Sequence, residues 1–376
     1  MSGATRVAEH QSRAEPVNLM EYEARARECM DAAAYDYIAG AACDECTLAD
    51  NRRAFERLWI RPRMLVDVSH VDMRTSVLGV PIAQPILLAP TALNRLAHPD
   101  GELAAARAAG AAGTIMVAST VAAYTLEEIA AAATGPLFFQ LYMCKDRGVT
   151  RELVERATTA GYRALVLTVD LPYLGRRERD VRRAFTLPPG VSIRNFESGD
   201  YELAAAHTLR DATFDQHARY LFDPSVTWDV IGWLRSISPL PVFVKGVLTP
   251  EDAREAIDHG VDGIIVSNHG GRQLDSVEPT IVALPRVAEA VDGRVELLVD
   301  GGIRRGTDVL KALALGARAV LIGRAYLYGL AVNGEAGVRH VLDLLRAELE
   351  LAMALSGRPS LAHIDRALVS PRPADA

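Results

Sequence analysis

Ser267-Asn268-His269-Gly270-Gly271-Arg272-Gln273-Leu274-Asp275 brings a base and a forked cation close together, directly after the apolar run Gly263-Ile264-Ile265-Val266. That run reads as a buried strand, so the polar residues fall where a strand gives way to a loop. A histidine can take a proton near neutral pH, and an arginine fork can hold a carboxylate through two parallel hydrogen bonds. The two glycines between them remove side chains that would crowd a flat ligand and admit backbone angles other residues resist. The pattern suits a small organic acid that loses hydrogen beside its carboxylate. Alone, His-x-x-Arg is more often an incidental solvated turn, because short motifs match by chance. The rest of the chain changes the odds.

Such residues need a scaffold that collects them. Short apolar runs recur at 86–89, 115–118, 137–141, 164–169, 242–244, 263–266, 296–299 and 319–322. Between most of them lie helical stretches with start signals: Thr125 with Glu128, Thr249 followed by Pro250 and Asp252, and Thr307 before Asp308. Strands alternating with helices predict an α/β fold, a TIM (β/α)8 barrel. A doubly wound open sheet is the runner-up, but no Gly-x-Gly-x-x-Gly follows the first run. An N-terminal helical segment precedes the barrel. One helix is expected from Asn18 to about Ala39, stopped by Gly40, and another from a capping-box-like start at Thr47-Leu48-Ala49-Asp50. Residues 62–81 read as irregular or short-stranded, suited to closing the bottom of the barrel. The expected organisation is a disordered N-terminus over 1–16, one domain over 17–367 and a flexible tail over 368–376. After the fourth strand, residues 171–241 are far longer than a helix and two loops require. Their middle, 188–222, is expected to cover the mouth of the barrel.

In such a barrel the reactive groups gather at the C-terminal strand ends. Those ends carry Pro90, Thr91 and Ala92; Ser119; Gln140 and Tyr142; Thr168 and Asp170; Lys245; Ser267, His269 and Arg272; Asp300, Gly301, Gly302 and Arg304; Gly323 and Arg324. Any one of these is more easily explained as structural, but all the ends together are harder to dismiss. The loops after the seventh and eighth strands form the usual phosphate site of these barrels. Gly301, Gly302 and Gly323 can present backbone N–H groups there, and Arg304 and Arg324 add positive charge. Ser119, Gln140 and Thr168 could hydrogen-bond the edge of a polar heterocycle, with Lys245 neutralising negative charge on it. Flavin mononucleotide (FMN) fits that combination.

Composition narrows the function classes. The chain has 376 residues, 41 Lys plus Arg against 48 Asp plus Glu, and a formal net charge of −7. This acidic balance argues against a nucleic-acid partner, which needs a basic face. No run of 18 apolar residues is present and the N-terminus lacks a signal-peptide pattern, so no membrane association and a cytoplasmic location are expected. Cys43-Asp44-Glu45-Cys46 has a metal-like or redox-like spacing, yet no second pair or nearby histidine completes a metal site. Cys29, Cys43, Cys46 and Cys144 read as free thiols, and no metal is expected.

The motifs carry a family resemblance. YDYIAGAACDECTLADNRRAF, APTALNRLAHPDGE, FFQLYMCKD, LTVDLPYLGRRE, VKGV, SNHGGRQLD and DGGIRRGTDVLKALALGA together resemble the FMN-dependent 2-hydroxy-acid oxidases and dehydrogenases. The similarity spans roughly Asn18 to Ile364. It implies that His269 is the active-site base and Asp170 the carboxylate that holds it. It implies that Arg177 and Arg272, joined by Tyr37, clamp the substrate carboxylate, and that Tyr142 contacts the substrate hydroxyl. Lys245 would lie at the flavin N1–O2 edge. Pro90, Thr91, Ala92, Ser119, Gln140, Thr168, Ser267, Asp300, Gly301, Gly302, Arg304, Gly323 and Arg324 match flavin-binding positions. The (S) substrate enantiomer and a homotetramer are likewise what the resemblance implies.

The expected reaction is FMN-dependent oxidation of an (S)-2-hydroxy acid to the 2-keto acid, with molecular oxygen as acceptor and hydrogen peroxide as product. The acidic, polar loop after the fourth strand favours oxygen over a membrane quinone. A quinone-linked dehydrogenase, a monooxygenase resembling the lactate enzyme, and a biosynthetic flavin oxidase acting on a tailored or carrier-linked substrate are alternatives. A non-redox phosphate-binding barrel is a further one. Val121 stands where glycolate oxidase has a tryptophan lining the substrate pocket, so an acid bulkier than glycolate is expected. Leu174 and residues 188–222 are expected to complete that wall.

Overall fold

The computed structural model describes residues 15–197 and 214–373. Nearly all of the N-terminal stretch expected to be disordered, the centre of the expected cover at 198–213, and residues 374–376 lie outside the described residues.

Each apolar run becomes a strand because it can bury side chains on both faces. The strands are β1 (Ile86–Leu88), β2 (Met116–Ser119), β3 (Leu137–Leu141), β4 (Leu165–Thr168), β5 (Val242–Val247), β6 (Gly263–Val266), β7 (Glu296–Asp300) and β8 (Ala319–Ile322). They pair in parallel, each with its sequence neighbour, and β8 pairs with β1 to close the barrel. This is the predicted TIM barrel. Strand alternation divides the apolar residues into two sets. Leu87, Val117, Phe138, Val166, Phe243 and Leu321 fill the interior, whereas their neighbours Leu88, Ala118, Phe139, Leu167, Val244 and Val320 pack under the surrounding helices.

A hairpin of Thr75–Val77 and Val80–Ile82 seals the N-terminal end, as residues 62–81 suggested. Its turn, Leu78-Gly79, has positive φ at both residues (48° and 73°), the twist that short hairpins favour. Val77, Val80 and Ile82 join the interior cluster.

Three local expectations are corrected. The single helix expected over 18–39 is two helices, Leu19–Cys29 and Ala32–Ala39, because Asp31 caps the second by accepting from the N–H groups of Ala33 and Ala34. Thr47 does not start a capping box. The helix Cys46–Glu56 begins after Glu45, and the Thr47 hydroxyl instead bonds both the N–H and the carbonyl of Val277. The flexible tail expected from 368 begins as ordered structure. Leu368 is fully buried, and Val369–Pro371 pairs antiparallel with Leu58–Ile60, which satisfies that backbone.

The start signals at Thr125 and Thr249 do cap their helices, Leu126–Ala132 and Pro250–Asp258. The helix Arg324–Leu355 bends at Asn333 and Gly334, and its stripe of Val338, Leu342, Leu345 and Leu349 is fully buried. No helix among the described residues is long and apolar enough to cross a membrane.

Candidate active site

The C-terminal strand ends surround a cavity of about 1100 Å3. Its walls include Tyr37, Pro90, Thr91, Ala92, Ser119, Val121, Tyr142 and Arg177. Lys245, His269, Arg272, Asp300, Gly301, Gly302, Arg304, Gly323 and Arg324 complete the polar part. Most of the residues singled out in the sequence are thus brought to one place. Asp170, Gln140 and Ser267 stand immediately behind the wall, bonded to residues that face the cavity, and Thr168 borders a neighbouring hollow.

His269 follows β6 in the left-handed backbone region, φ 56°. Its Nδ1 lies 2.8 Å from Asp170 Oδ1, at the end of β4. A carboxylate acceptor places the proton on Nδ1 and leaves the Nε2 lone pair available. Burial pushes the imidazole below its ordinary pKa, and the Asp170 charge pulls it back only in part, so His269 rests neutral. Burial raises the Asp170 carboxyl, but His269 and Lys245 outweigh it and hold it ionised.

Lys245 on β5 is buried and stays charged. Burial disfavours its ammonium, yet Asp300 and Asp170 raise its pKa overall. Its Nζ donates to Ser267 Oγ at 2.7 Å and lies 3.2 Å from Asp300 Oδ2. Ser267 Oγ donates to Asp300 Oδ1 at 2.8 Å and accepts from the His269 N–H. One small network therefore ties the base, the lysine and the β7 carboxylate together.

Arginines dominate the remaining charge. Arg272 donates to the carbonyls of Tyr37 (2.6 Å) and Gly40 (2.9 Å) and sits over the Tyr37 ring at 5.0 Å. Arg324 donates to the carbonyls of Ile38, Gly40 and Gly270. Burial, then the neighbouring Arg272, lowers its pKa to about 9. Among the described residues, the hydrogen bonds of the Arg177 side chain are long, 3.4 Å to Arg272 O and 3.4 Å to Gln273 Oε1. Burial and Arg272 bring it down to about 10. Among the described residues, five cationic side chains line the cavity against one carboxylate, Asp300. A desolvated excess of this kind favours a ligand with more than one anionic group.

The N-terminal helices lock these loops. The Asn51 and Asn268 side chains exchange two 2.8 Å hydrogen bonds. Gly302 packs so tightly on this helix that a Cβ there would lie 2.1 Å from the Asn51 carbonyl oxygen, with φ +78°. That glycine is needed for close approach as well as for presenting an N–H group.

The substrate wall differs from expectation in one place. Val121 does line the cavity, but Leu174 does not; Leu171, Ala218 and Phe222 do, the last two from within the expected cover. Ile38, Ile303 and Leu327 also line it. Apolar lining residues have no chemical signature in a sequence. Leu171 and Ile303 at least follow strand ends closely, whereas Ile38, Ala218 and Phe222 carried no such signal.

A family model described as FMN-dependent dehydrogenase matches residues 26–371. The chain belongs to this family. It is 51% identical to spinach glycolate oxidase over 356 residues, 95% of this chain and 96% of that one. It is 52% identical to an L-lactate oxidase of a Nostoc species, covering 93% of this chain and 97% of that one. A solved structure of mandelate oxidase with (S)-4-hydroxymandelic acid superposes with a TM-score of 0.89 at 44% identity, covering 95% and 99% of the two chains.

The site fits the family's FMN. Gln140 Nε2 and Thr168 Oγ1 are buried without a hydrogen-bond partner among the described residues. Orphaned groups of this kind need a ligand or water to satisfy them, and Gln140 bonds Ser119, which faces the cavity. Gly301, Gly302, Gly323, Arg304 and Arg324 line the cavity after β7 and β8, a set that would suit a phosphate, and Lys245 would place positive charge near a bound ring.

Proposed function

We propose that this chain oxidises an (S)-2-hydroxy acid to the 2-keto acid, with oxygen as the second substrate and hydrogen peroxide as the second product. The observation that carries the reading is a neutral, carboxylate-held histidine facing the same cavity as Arg177 and Arg272. Its oxidase relatives support the choice of acceptor.

Arg177 and Arg272 hold the substrate carboxylate and orient the reacting carbon. Arg177, with long contacts to its partners among the described residues, has donors to offer a ligand. Burial keeps the Tyr142 phenol protonated, so it can donate to the substrate hydroxyl. His269 Nε2 takes the proton, and Asp170 stabilises the imidazolium that forms. FMN, when bound, accepts the two electrons that leave the substrate. Lys245, Gln140, Thr168 and Ser119 would hold its ring, and Pro90, Thr91 and Ala92 the adjoining loop.

Val121, in place of a bulky aromatic, supports a substrate larger than glycolate. The same proposal includes a homotetramer, supported by the family resemblance and testable by sedimentation, and a cytoplasmic location, testable by cell fractionation. The deciding experiment is an anaerobic titration of the flavin spectrum with glycolate, lactate, mandelate and a long-chain 2-hydroxy acid. Bleaching by at least one acid, followed by oxygen uptake and peroxide formation on aeration, is expected. Retention of FMN with no bleaching by any acid overturns the reading.

A further inference from the structure

Beside the cavity lies a second hollow, which shares Tyr142 and Thr168 with the proposed machinery but whose remaining walls that chemistry does not use. It spans about 680 Å3, open in part to solvent, between β4 and the chain from Phe222 to Ile231. Its walls are mainly apolar, with Met143, Leu167, Val169, Val226 and Trp228 among them. Tyr142, Leu171 and Phe222 border both spaces and form the partition between them.

The orientation of a bound acid makes this partition matter. With its carboxylate at Arg177 and Arg272, its substituent must point to the apolar part of the cavity. Val121, Leu171, Ala218 and Phe222 belong to that apolar lining. The Phe222 ring packs on Tyr142 with centroids 4.7 Å apart. Its backbone is pinned: Asp223 N donates to Met143 O and Lys145 N to Leu221 O, both at 2.9 Å. A rotamer change therefore moves the ring and leaves those backbone bonds intact.

We propose that the hollow receives the hydrocarbon tail of a medium-chain 2-hydroxy acid, admitted past the Phe222 ring, so that Phe222 and Leu171 determine chain-length preference. This rests on the oxidase reading above and names its substrate class. Methyl and aromatic walls reward each methylene taken from water, by about a threefold gain in affinity.

The test compares holoenzyme turnover of lactate, 2-hydroxyhexanoate and 2-hydroxyoctanoate, with calorimetric binding of acetate and octanoate alongside. In the wild type, kcat/KM and carboxylate affinity should rise with chain length. Val226→Trp fills the hollow from a position that does not line the catalytic cavity. It should lower kcat/KM for 2-hydroxyoctanoate and octanoate affinity by about tenfold, while lactate changes less than about twofold. Phe222→Ala joins the two spaces and should raise the octanoate-to-lactate preference by a similar factor of about ten. A chain-length preference unmoved by both variants overturns the proposal. An equal loss for lactate and 2-hydroxyoctanoate in Val226→Trp, with altered oxygen dependence, overturns it in favour of an oxygen path. Octanoate binding that weakens as expected while no acid bleaches the flavin would sink the oxidase reading and leave the tail site standing.

Discussion

At the N-terminal end of the barrel, Val77, Val80 and Ile82 close over the interior and join its apolar cluster. At the C-terminal end the same strands open onto Lys245, Arg177, Arg272, Arg304 and Arg324 around a cavity of about 1100 Å3. Burying apolar side chains at the bottom stabilises the fold. Burying an excess of cations at the mouth costs stability until anions arrive. The comparison teaches a division of labour: one end holds the barrel together, and the other is kept electrostatically unsatisfied so that it binds.

The sharpest way to break that division is at the mouth. His269→Ala should leave FMN bound, with its absorbance intact, yet slow flavin reduction by the acid at least ~10²-fold. Stopped-flow absorbance under anaerobic conditions measures this, and an unchanged rate would remove His269 as the base. The converse change is at the bottom. Ile82→Ala should lower unfolding free energy by about 2–5 kcal/mol, read from denaturant melts, without moving KM. A shifted KM would show that the two ends are coupled after all.

Asp170→Asn should give the smallest of the three effects, about a tenfold to hundredfold slower reduction, the range for a hydrogen bond to a charged group. It also has a pH signature. As the proposed base His269 would act when neutral, so kcat/KM should climb with pH through its pKa, which burial holds below the usual value of about 6.5. Removing the Asp170 charge takes away the group that favours the imidazolium, so the limb should move to lower pH. A move to higher pH would contradict the pairing.

Much of the architecture was readable in advance because buried parallel strands leave a plain mark. Gly263–Val266 and Ala319–Ile322 are uninterrupted apolar runs bounded by polar residues, and both are strands over those residues. Polar candidates were readable for a related reason: each strand end alone suits a structural role, but polar residues at all eight ends of one barrel point to a shared site. Leu171, Ala218 and Phe222 were not readable. Their apolar character suits any core position, and only the path of the chain between β4 and β5 brings them to the cavity. Leu174, three residues from Leu171, packs against the core instead. The break at Asp31 was missed because helical periodicity runs through it, while a capping side chain acts on a single pair of N–H groups.

The linear order of residues determined the repeating strand and helix units, the polar strand ends, and the chemical types available for catalysis. Those follow from local periodicity and from what each side chain can donate or accept. Tertiary structure alone decided which charges meet. Asp170 and His269 are 99 residues apart and bond at 2.8 Å because β4 and β6 flank β5 in the closed barrel. It also decided that Arg177 keeps donors to spare while Arg272 and Arg324 brace the Tyr37–Gly40 backbone. Hydrogen bonds and desolvation depend on distances and burial in three dimensions, and spacing along the chain does not specify them.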